Sequence, residues 1–471
     1  MDERESPPVP YHVVPGPSAP KRIILISYHA PPSNEVGAVR WSGMARYFAA
    51  RGWGIDFVAA DPTALRHRNE ALLEGLPSGT RLFGVPNTPP ALDRIVRRAV
   101  SARRQLRETT GGRAIPSGQA PTPPASRRKS PGRRALNAFH AWREYVAAER
   151  WARRAAETGR RIYDPGLHHW VASSGPPHMA HEGGRLLASW TGLPFIADFR
   201  DPWRFMEPEW VELGAMWLRL AARYEKRAVR SSTLTVTNVE PVRAIMQRAY
   251  PGTRVITITN GVDEGAVPSM RAPRKFIIGY TGAIYLGRDP APLFEAVGMM
   301  VRDLAIDPQD LSLEFMGFFD AQVYARFEKL AAAHGLEPFL AVHRGQPRPK
   351  ALEFMADCTV LVTLQQGADL MIPAKVFEGM RFPTWLLVLA GARSATAELL
   401  AGTGAHVLDP QDISGIKSAL TARFLDFKRG IRPSPLIEQE RFTRRFQAER
   451  LLDAMEEEVR TRAAQARPAR R

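Results

Sequence analysis

Five short segments concentrate the residues able to do chemistry, and each mixes Gly or Pro with charged or titratable side chains. They are His29-Ala30-Pro31-Pro32-Ser33-Asn34-Glu35-Val36-Gly37, Ser173-Ser174-Gly175-Pro176-Pro177-His178, Asp198-Phe199-Arg200-Asp201-Pro202-Trp203, Thr281-Gly282-Ala283-Ile284-Tyr285-Leu286-Gly287-Arg288 and Ile372-Pro373-Ala374-Lys375-Val376-Phe377-Glu378. In the last, Pro373 suits a helix start, and Lys375 and Glu378 stand three apart on one helical face. A cation near a helix N-terminus is suited to a phosphorylated ligand. The chain has no Walker loop, no His-Glu-x-x-His, no cysteine pair for zinc, no Asp-x-Asp, no Gly-x-Gly-x-x-Gly after the first strand and no Gly-x-Ser-x-Gly elbow.

The elements that must hold these segments alternate between strand and helix. Arg22–Ser27 is a short apolar run with β-branched bias, a helical pattern follows from Trp41 to Arg51, and Ile55–Ala59 reads as the next strand. Strands follow at 170–172, 194–197, 234–237 and 255–258, with helices from about Met179 and over 216–230. Beyond Pro273 the alternation restarts, with strands near 276–280, 313–315, 360–363 and 385–389. Two successive runs of this kind predict an α/β protein of two Rossmann-like, doubly wound parallel-sheet domains. In such sheets ligands bind beyond the carboxyl ends of the strands, where all five segments fall.

The predicted organisation is a disordered tail over 1–20, a first domain over 21–262, a linker over 263–273, a second domain over 274–430, a C-terminal helix over 431–462 returning to the first domain, and a basic tail over 463–471. The strongest part of that last helix spans Pro435 to Arg460. The first domain carries a mobile basic insertion over 101–134 and an amphipathic helix over 135–161, with Phe139, Trp142, Val146 and Trp151 apolar and Arg143, Arg150, Arg153 and Arg154 polar. Residues 91–161 hold 18 Arg or Lys against 5 Asp or Glu, so most of the formal charge of +17 sits in one segment. That distribution makes the charge a property of one segment, and leaves the helix as an ordinary surface helix, a dock for an anionic membrane or, last of the three, a contact for nucleic acid, which is not an expected partner of the chain as a whole.

A single cysteine, Cys358, in an apolar run excludes an intrachain disulfide framework and suits a small core residue in a reducing compartment. Met1 to Pro20 lacks the pattern of a secretory leader, and no apolar run approaches the roughly 18 residues of a membrane span. The expected location is cytoplasmic, with peripheral attachment to the inner face of a membrane.

Taken together, the segments resemble family 4 of the glycosyltransferases and their relatives, which have the GT-B fold with a cleft between its two domains. The resemblance covers about Lys21 to Phe424 and fails in the basic excursion. It implies a retaining enzyme that uses a nucleotide-diphosphate sugar, no resident cofactor and no metal. By this resemblance Glu378 matches the second glutamate of the family's Glu-x7-Glu element, which bonds the donor ribose, while the first falls at Leu370. Gly282 matches the glycine that lets backbone approach the phosphates, the arginine usual after it is Ala283, and Arg288 is the nearest replacement cation. Gly37 matches the glycine-rich loop against donor phosphate, and His178 and Asp201 fall on the acceptor side as base or positioning residues.

Each residue also has a plainer reading. Lys375 and Glu378 form a solvated pair, Arg288 is a surface charge, His178 is a turn histidine, Asp201 caps a helix at Pro202, and Gly37 is a turn glycine. The expected function is transfer of a sugar to a glycan or lipid-linked acceptor in surface polysaccharide or glycolipid assembly. The alternatives are a catalytically degenerate homologue acting as a binding partner, for which Leu370 and Ala283 speak, and a nucleotide-sugar epimerase.

Overall fold

The computed structural model describes residues 7–33, 35–65, 68–87, 131–204, 215–264, 268, 274–284 and 288–465. Most of the expected insertion (101–130), most of the expected linker and the last six residues of the basic tail lie outside them.

The first half runs β1 (His12–Val13), β2 (Lys21–Ser27), α1 (Val36–Ala50), β3 (Trp53–Ala60), α2 (Ala71–Glu74), β4 (Arg81–Val85), α3 (Pro131–Ile162), β5 (His168–Gly175), α4 (Ala180–Thr191), β6 (Phe195–Phe199), α5 (Ala215–Ser231), β7 (Leu234–Thr237), α6 (Glu240–Ala249) and β8 (Val255–Thr257). Its strands form one sheet in the order β1-β4-β3-β2-β5-β6-β7-β8. The first strand runs antiparallel to β4, whereas β2 is parallel to both β3 and β5. Ile23, Ile24, Leu25 and Ile26 are fully buried, as an all-apolar central strand with helices on both faces requires.

The second half runs β9 (Phe276–Thr281), α7 (Ala291–Leu304), β10 (Leu311–Gly317), α8 (Ala321–His334), β11 (Leu340–Arg344), α9 (Arg348–Asp357), β12 (Val360–Leu364), α10 (Ala374–Gly379), β13 (Trp385–Leu389), α11 (Ala395–Leu400), β14 (His406–Leu408), α12 (Ile413–Lys428) and α13 (Arg444–Gln465). Every strand pair of its sheet, ordered β11-β10-β9-β12-β13-β14, is parallel. The core holds Phe294, Phe315 and Phe327, with the last two rings stacked at 4.4 Å. Cys358 is buried there, and burial pushes its thiol up, in keeping with a packing role. By internal contacts the chain divides into two compact units, one spanning Met1–Ser42, Gly52–Asp198 and Glu212–Ser232, the other Gly43–Arg51, Phe199–Val211 and Thr233–Arg471.

Three expectations are corrected. The segment read as a disordered tail is ordered from residue 7: His12 and Val13 extend the sheet along β4, and the Tyr11 hydroxyl donates to the Pro31 carbonyl at 2.6 Å. Sheet pairing supplies what the polar, proline-rich composition could not show.

The C-terminal helix begins at Arg444, not Pro435, because Val262 interrupts the pattern. Its N–H donates to Phe442 O and its carbonyl accepts from Arg444 N, both at 2.8 Å, so residues 436–442 form two short 3-10 turns. Beyond them Asp453 and Glu456 pair with Arg51 at 2.6 and 2.8 Å.

The third correction concerns α3. Its buried stripe is Ala141, Tyr145, Ala152, Ala155 and Ala156 with Trp151, whereas Phe139 and Trp142 are 45% and 51% exposed. Small side chains let this helix approach α4, so its alanines mark the packed side together with Tyr145 and Trp151, while Phe139 and Trp142 do not.

The most demanding burial in the first unit is ionic. Asp56, fully buried on β3, accepts Arg22 Nε at 3.0 Å, Arg81 Nε at 2.8 Å and His168 Nε2 at 2.8 Å, and further bonds come from both Arg Nη2 groups. His168 Nδ1 accepts from Asp164 N at 2.9 Å, so a neutral ring carries its proton on Nε2 and donates it to Asp56. Burial alone would raise the Asp56 carboxyl, but the bonds from Arg81, His168 and Arg22 outweigh it and hold the group far below the usual range. Arg22 is itself only 1% exposed, so losing the carboxylate strands a buried guanidinium. Asp56→Ala is therefore expected to lower stability by about 3–5 kcal/mol. Urea denaturation at pH 7 checks this, and a loss below about 1 kcal/mol would show the cluster to be hydrated.

Candidate functional site

In the second sheet the strand order reverses between β9 and β12, so right-handed connections leaving their carboxyl ends part to opposite faces. The crevice this leaves is the natural ligand position of an open parallel sheet. Gly282 follows β9 directly, and Lys375 and Glu378 lie on α10, the helix after β12.

Their contacts are specific. Lys375 Nζ donates to the Thr281 carbonyl at 2.6 Å and lies 3.8 Å from the centroid of the Tyr280 ring, whose hydroxyl donates to Ala283 O at 2.9 Å. Gly282 has φ +101°, a conformation that disfavours side chains, and a methyl group added there would stand 3.4 Å from Lys375 Nζ. The bare backbone thus turns in front of the ammonium. Arg288 donates to Ala283 O at 3.4 Å and repels Lys375. Burial, with that repulsion added, brings the Lys375 ammonium down to about 7, while Glu378 pulls the other way. An anion beside Lys375 would favour its charged form.

Glu378 does not pair with Lys375. Its carboxylate accepts Arg348 Nη1 at 2.8 Å, from the start of α9 after β11. Both partners are reached by solvent, so the bridge is worth no more than about 1 kcal/mol and yields readily to a ligand hydroxyl. The solvated i,i+3 pair is therefore not what the structure contains. The loop before α10 is pinned by Gln365, fully buried, whose Nε2 donates to Ala368 O at 3.0 Å and Met371 O at 2.8 Å while its Oε1 accepts from Thr396 Oγ1 at 2.6 Å. Leu370 sits in this loop, half-buried.

One expectation is revised. Helix α10 has only six residues, too few for a sizeable macrodipole, so its N-terminus adds little to the positive charge of Lys375. Arg348 and Gln365 escaped the sequence reading. Arg348 meets Glu378 across two different βα connections, and Gln365 works inside a loop, so neither leaves a local pattern.

In the first unit the loops after β2 and β5, which flank that sheet's own reversal, are tied through Asp198. This buried carboxylate accepts Arg40 Nε and Nη2 at 3.0 Å each, Trp41 Nε1 at 2.8 Å and Ser174 Oγ at 2.9 Å. Asp198 thereby fixes α1 against the end of β5. Gly37 lies buried in the first turn of α1. His178 lies in the turn leading into α4, its ring 5.8 Å from that of His181, and His181 Nδ1 is 2.9 Å from Ser173 Oγ. Asp201 belongs to the second unit and lies in a bend, with no helix starting at Pro202. The structure thus brings Gly282, Arg288, Lys375 and Glu378 together in one unit, with Gly37 and His178 in the other.

Among the described residues no group of three or more His, Cys, Asp or Glu side chains is placed to hold a metal, and no helix is long and apolar enough to cross a membrane.

Two Rossmann-like parallel-sheet domains, of eight and six strands, define the GT-B fold class. The chain is similar to sucrose-phosphate synthase from Thermosynechococcus elongatus (TM-score 0.57, 13% identity, 94% of this chain and 100% of that one). It is also similar to Anabaena HepE in complex with UDP (TM-score 0.56, 13% identity, 93% and 100% covered) and to a glycosyltransferase from Rickettsia africae (TM-score 0.55, 12% identity, 93% and 99% covered). At such identities the likeness establishes the fold alone. No family model matches the chain, and no curated protein matches it.

The depressed Lys375 predicts a measurable linkage. Between about pH 7 and 10.5 the unfolded chain binds the proton that the folded one has lost, so this group's contribution to stability rises with pH across that window. Lys375→Met is expected to be more stable than the parent at pH 6, with the gap closing by pH 9.5. Denaturation midpoints of both proteins at the two pH values test this, and a constant gap would show that the amine is solvated.

Proposed function

We propose that the chain is a glycosyltransferase that moves a hexosyl group from a nucleotide-diphosphate sugar to an acceptor. The observation that carries this is the meeting, at the reversal of the second sheet, of bare backbone at Gly282, cations at Lys375 and Arg288, and the Glu378 carboxylate one helical turn on. HepE, of the same fold, has been solved with UDP and with UDP-glucose, which supports a nucleotide sugar as the donor.

In this reading residues 274–430 are the donor domain and 21–262 the acceptor domain. The bond between the anomeric carbon and the diphosphate breaks as the acceptor oxygen bonds to that carbon, and the acceptor proton passes to the leaving phosphate. Lys375 and Arg288 counter the charge that grows on the leaving group, the task a metal performs elsewhere. Glu378 exchanges Arg348 for ribose hydroxyls, Gly37 lies against donor phosphate, and His178 and Asp201 position the acceptor. Departure and attack on one face retain the anomeric configuration, as in family 4.

The acceptor is a glycan or a lipid-linked sugar of surface polysaccharide or glycolipid assembly at the cytoplasmic face of a membrane. The outward Phe139 and Trp142 of α3, followed along the helix by exposed Arg150, Arg153 and Arg154, support attachment to an anionic surface. Leu370, in place of the motif's first glutamate, favours one other reading: a homologue that binds the donor and does no chemistry.

A thermal-shift screen of nucleoside diphosphates and nucleotide sugars, followed by transfer assays with the donor that stabilises best, decides between them. Stabilisation together with transfer is expected, and Lys375→Ala should slow turnover on the order of a hundredfold or more with the fold intact. Stabilisation without transfer or hydrolysis would support the non-catalytic homologue. Conversion of the donor sugar without any acceptor would identify an epimerase, and no response to any nucleotide overturns the proposal.

A further inference from the structure

Phe318 is 74% exposed, more than any other Phe or Trp among the described residues, yet it stands on a connection of the second sheet whose flanking residues are packed. It lies between the end of β10 and α8. On one side, a methyl group added to Gly317 would stand 2.5 Å from the Gly282 carbonyl oxygen, so the two backbones touch. On the other, Phe319 turns inward against Phe327 (5.2 Å) and Tyr324 (5.9 Å), and Asp320 caps α8 by accepting from Val323 N at 2.9 Å. The outward direction of Phe318 is therefore set by packed neighbours and not by a loose loop.

The ring is laid across the next connection. A methyl group on Gly345, just after β11, would fall 2.6 Å from two carbons of the Phe318 ring, and Gly345 N donates to Gly317 O at 2.7 Å. Three residues further on, Arg348 holds Glu378. A closed circuit results at the carboxyl edge of the sheet: Lys375 faces Gly282, Gly282 touches Gly317, Phe318 covers Gly345, and Arg348 returns to Glu378 on the helix of Lys375. Its cations lie at the Gly282 and Glu378 sides, and the aromatic ring lies over β10 and β11.

We infer that Phe318 is the platform on which the base of the nucleoside diphosphate stacks. This rests on the reading of the site as a nucleotide-sugar site and adds the residue that grips the base. The ring packs against the bare backbone at Gly345 and leaves most of its surface to solvent, so a planar heterocycle has aromatic surface to stack on. The absence of a side chain at Gly345 lets the ring approach that backbone closely, and the exposed phenyl stands to gain burial from a ligand that covers it. Stacking accepts any base, so Phe318 supplies affinity, and discrimination among bases belongs to the polar groups around it.

The test measures, by calorimetry, binding of UDP, GDP, ADP and inorganic pyrophosphate to the parent chain, Phe318→Ala and Phe318→Trp. In the Ala variant the best-bound nucleoside diphosphate should weaken on the order of tenfold or more while pyrophosphate is unchanged. In the Trp variant nucleotide affinity should be kept, and the added indole emission should be quenched by the nucleotide but not by pyrophosphate. Unaltered nucleotide binding in Phe318→Ala overturns the inference and leaves the nucleotide-sugar reading standing, as does an equal loss of pyrophosphate. If the parent chain binds none of the three nucleotides, the nucleotide-sugar reading itself fails and this inference falls with it.

Discussion

A parallel sheet satisfies its backbone everywhere except at its ends, and only where the strand order reverses do two connections part and leave room for a ligand. The second sheet of this chain depends on that constraint. The reversal between β9 and β12 places Gly282 at one lip and α10 at the other, and the bond from Lys375 to the Thr281 carbonyl joins them. A helix as short as α10 adds little field of its own, so the side chains must carry the charge.

The two units handle buried charge in opposite ways. In the first, Asp56 and Asp198 are buried carboxylates each held by several donors, Arg22, Arg81 and His168 in one case and Arg40, Trp41 and Ser174 in the other. Such groups hold elements in register. In the second, Lys375 has a carbonyl and an aromatic face for partners, and Arg288 beside it is a like charge. Burial and that like charge disfavour the ammonium, and only Glu378 opposes them. A functional site differs from a structural node in just this respect.

The strand runs and the two successive α/β series could be read from the sequence, because a fully buried parallel strand must be apolar along its whole length and its helices must show a helical period. Residues 23–26, 360–362 and 385–389 carry that signature undiluted. The short edge strands 12–13, 340–344 and 406–408 do not. Edge positions are half-exposed, tolerate His and Arg, and are defined by the partner they pair with. The packed side of α3 misled for a related reason, since close helix contact selects alanine and leaves Phe139 and Trp142 outside.

The sequence by itself determined the α/β class, the segments at the carboxyl ends of the strands, and the presence of Lys375, Glu378, Gly282 and Arg288 within them. These depend on local composition and on spacings of a few residues, which the chain states directly. Only the tertiary structure decided that Glu378 answers to Arg348 and not to Lys375, that Asp198 is spent on Arg40 and Trp41, and that Phe318 lies across Gly345. Such pairings join residues from different βα connections, and their partners are chosen by strand order, which no short stretch of sequence encodes.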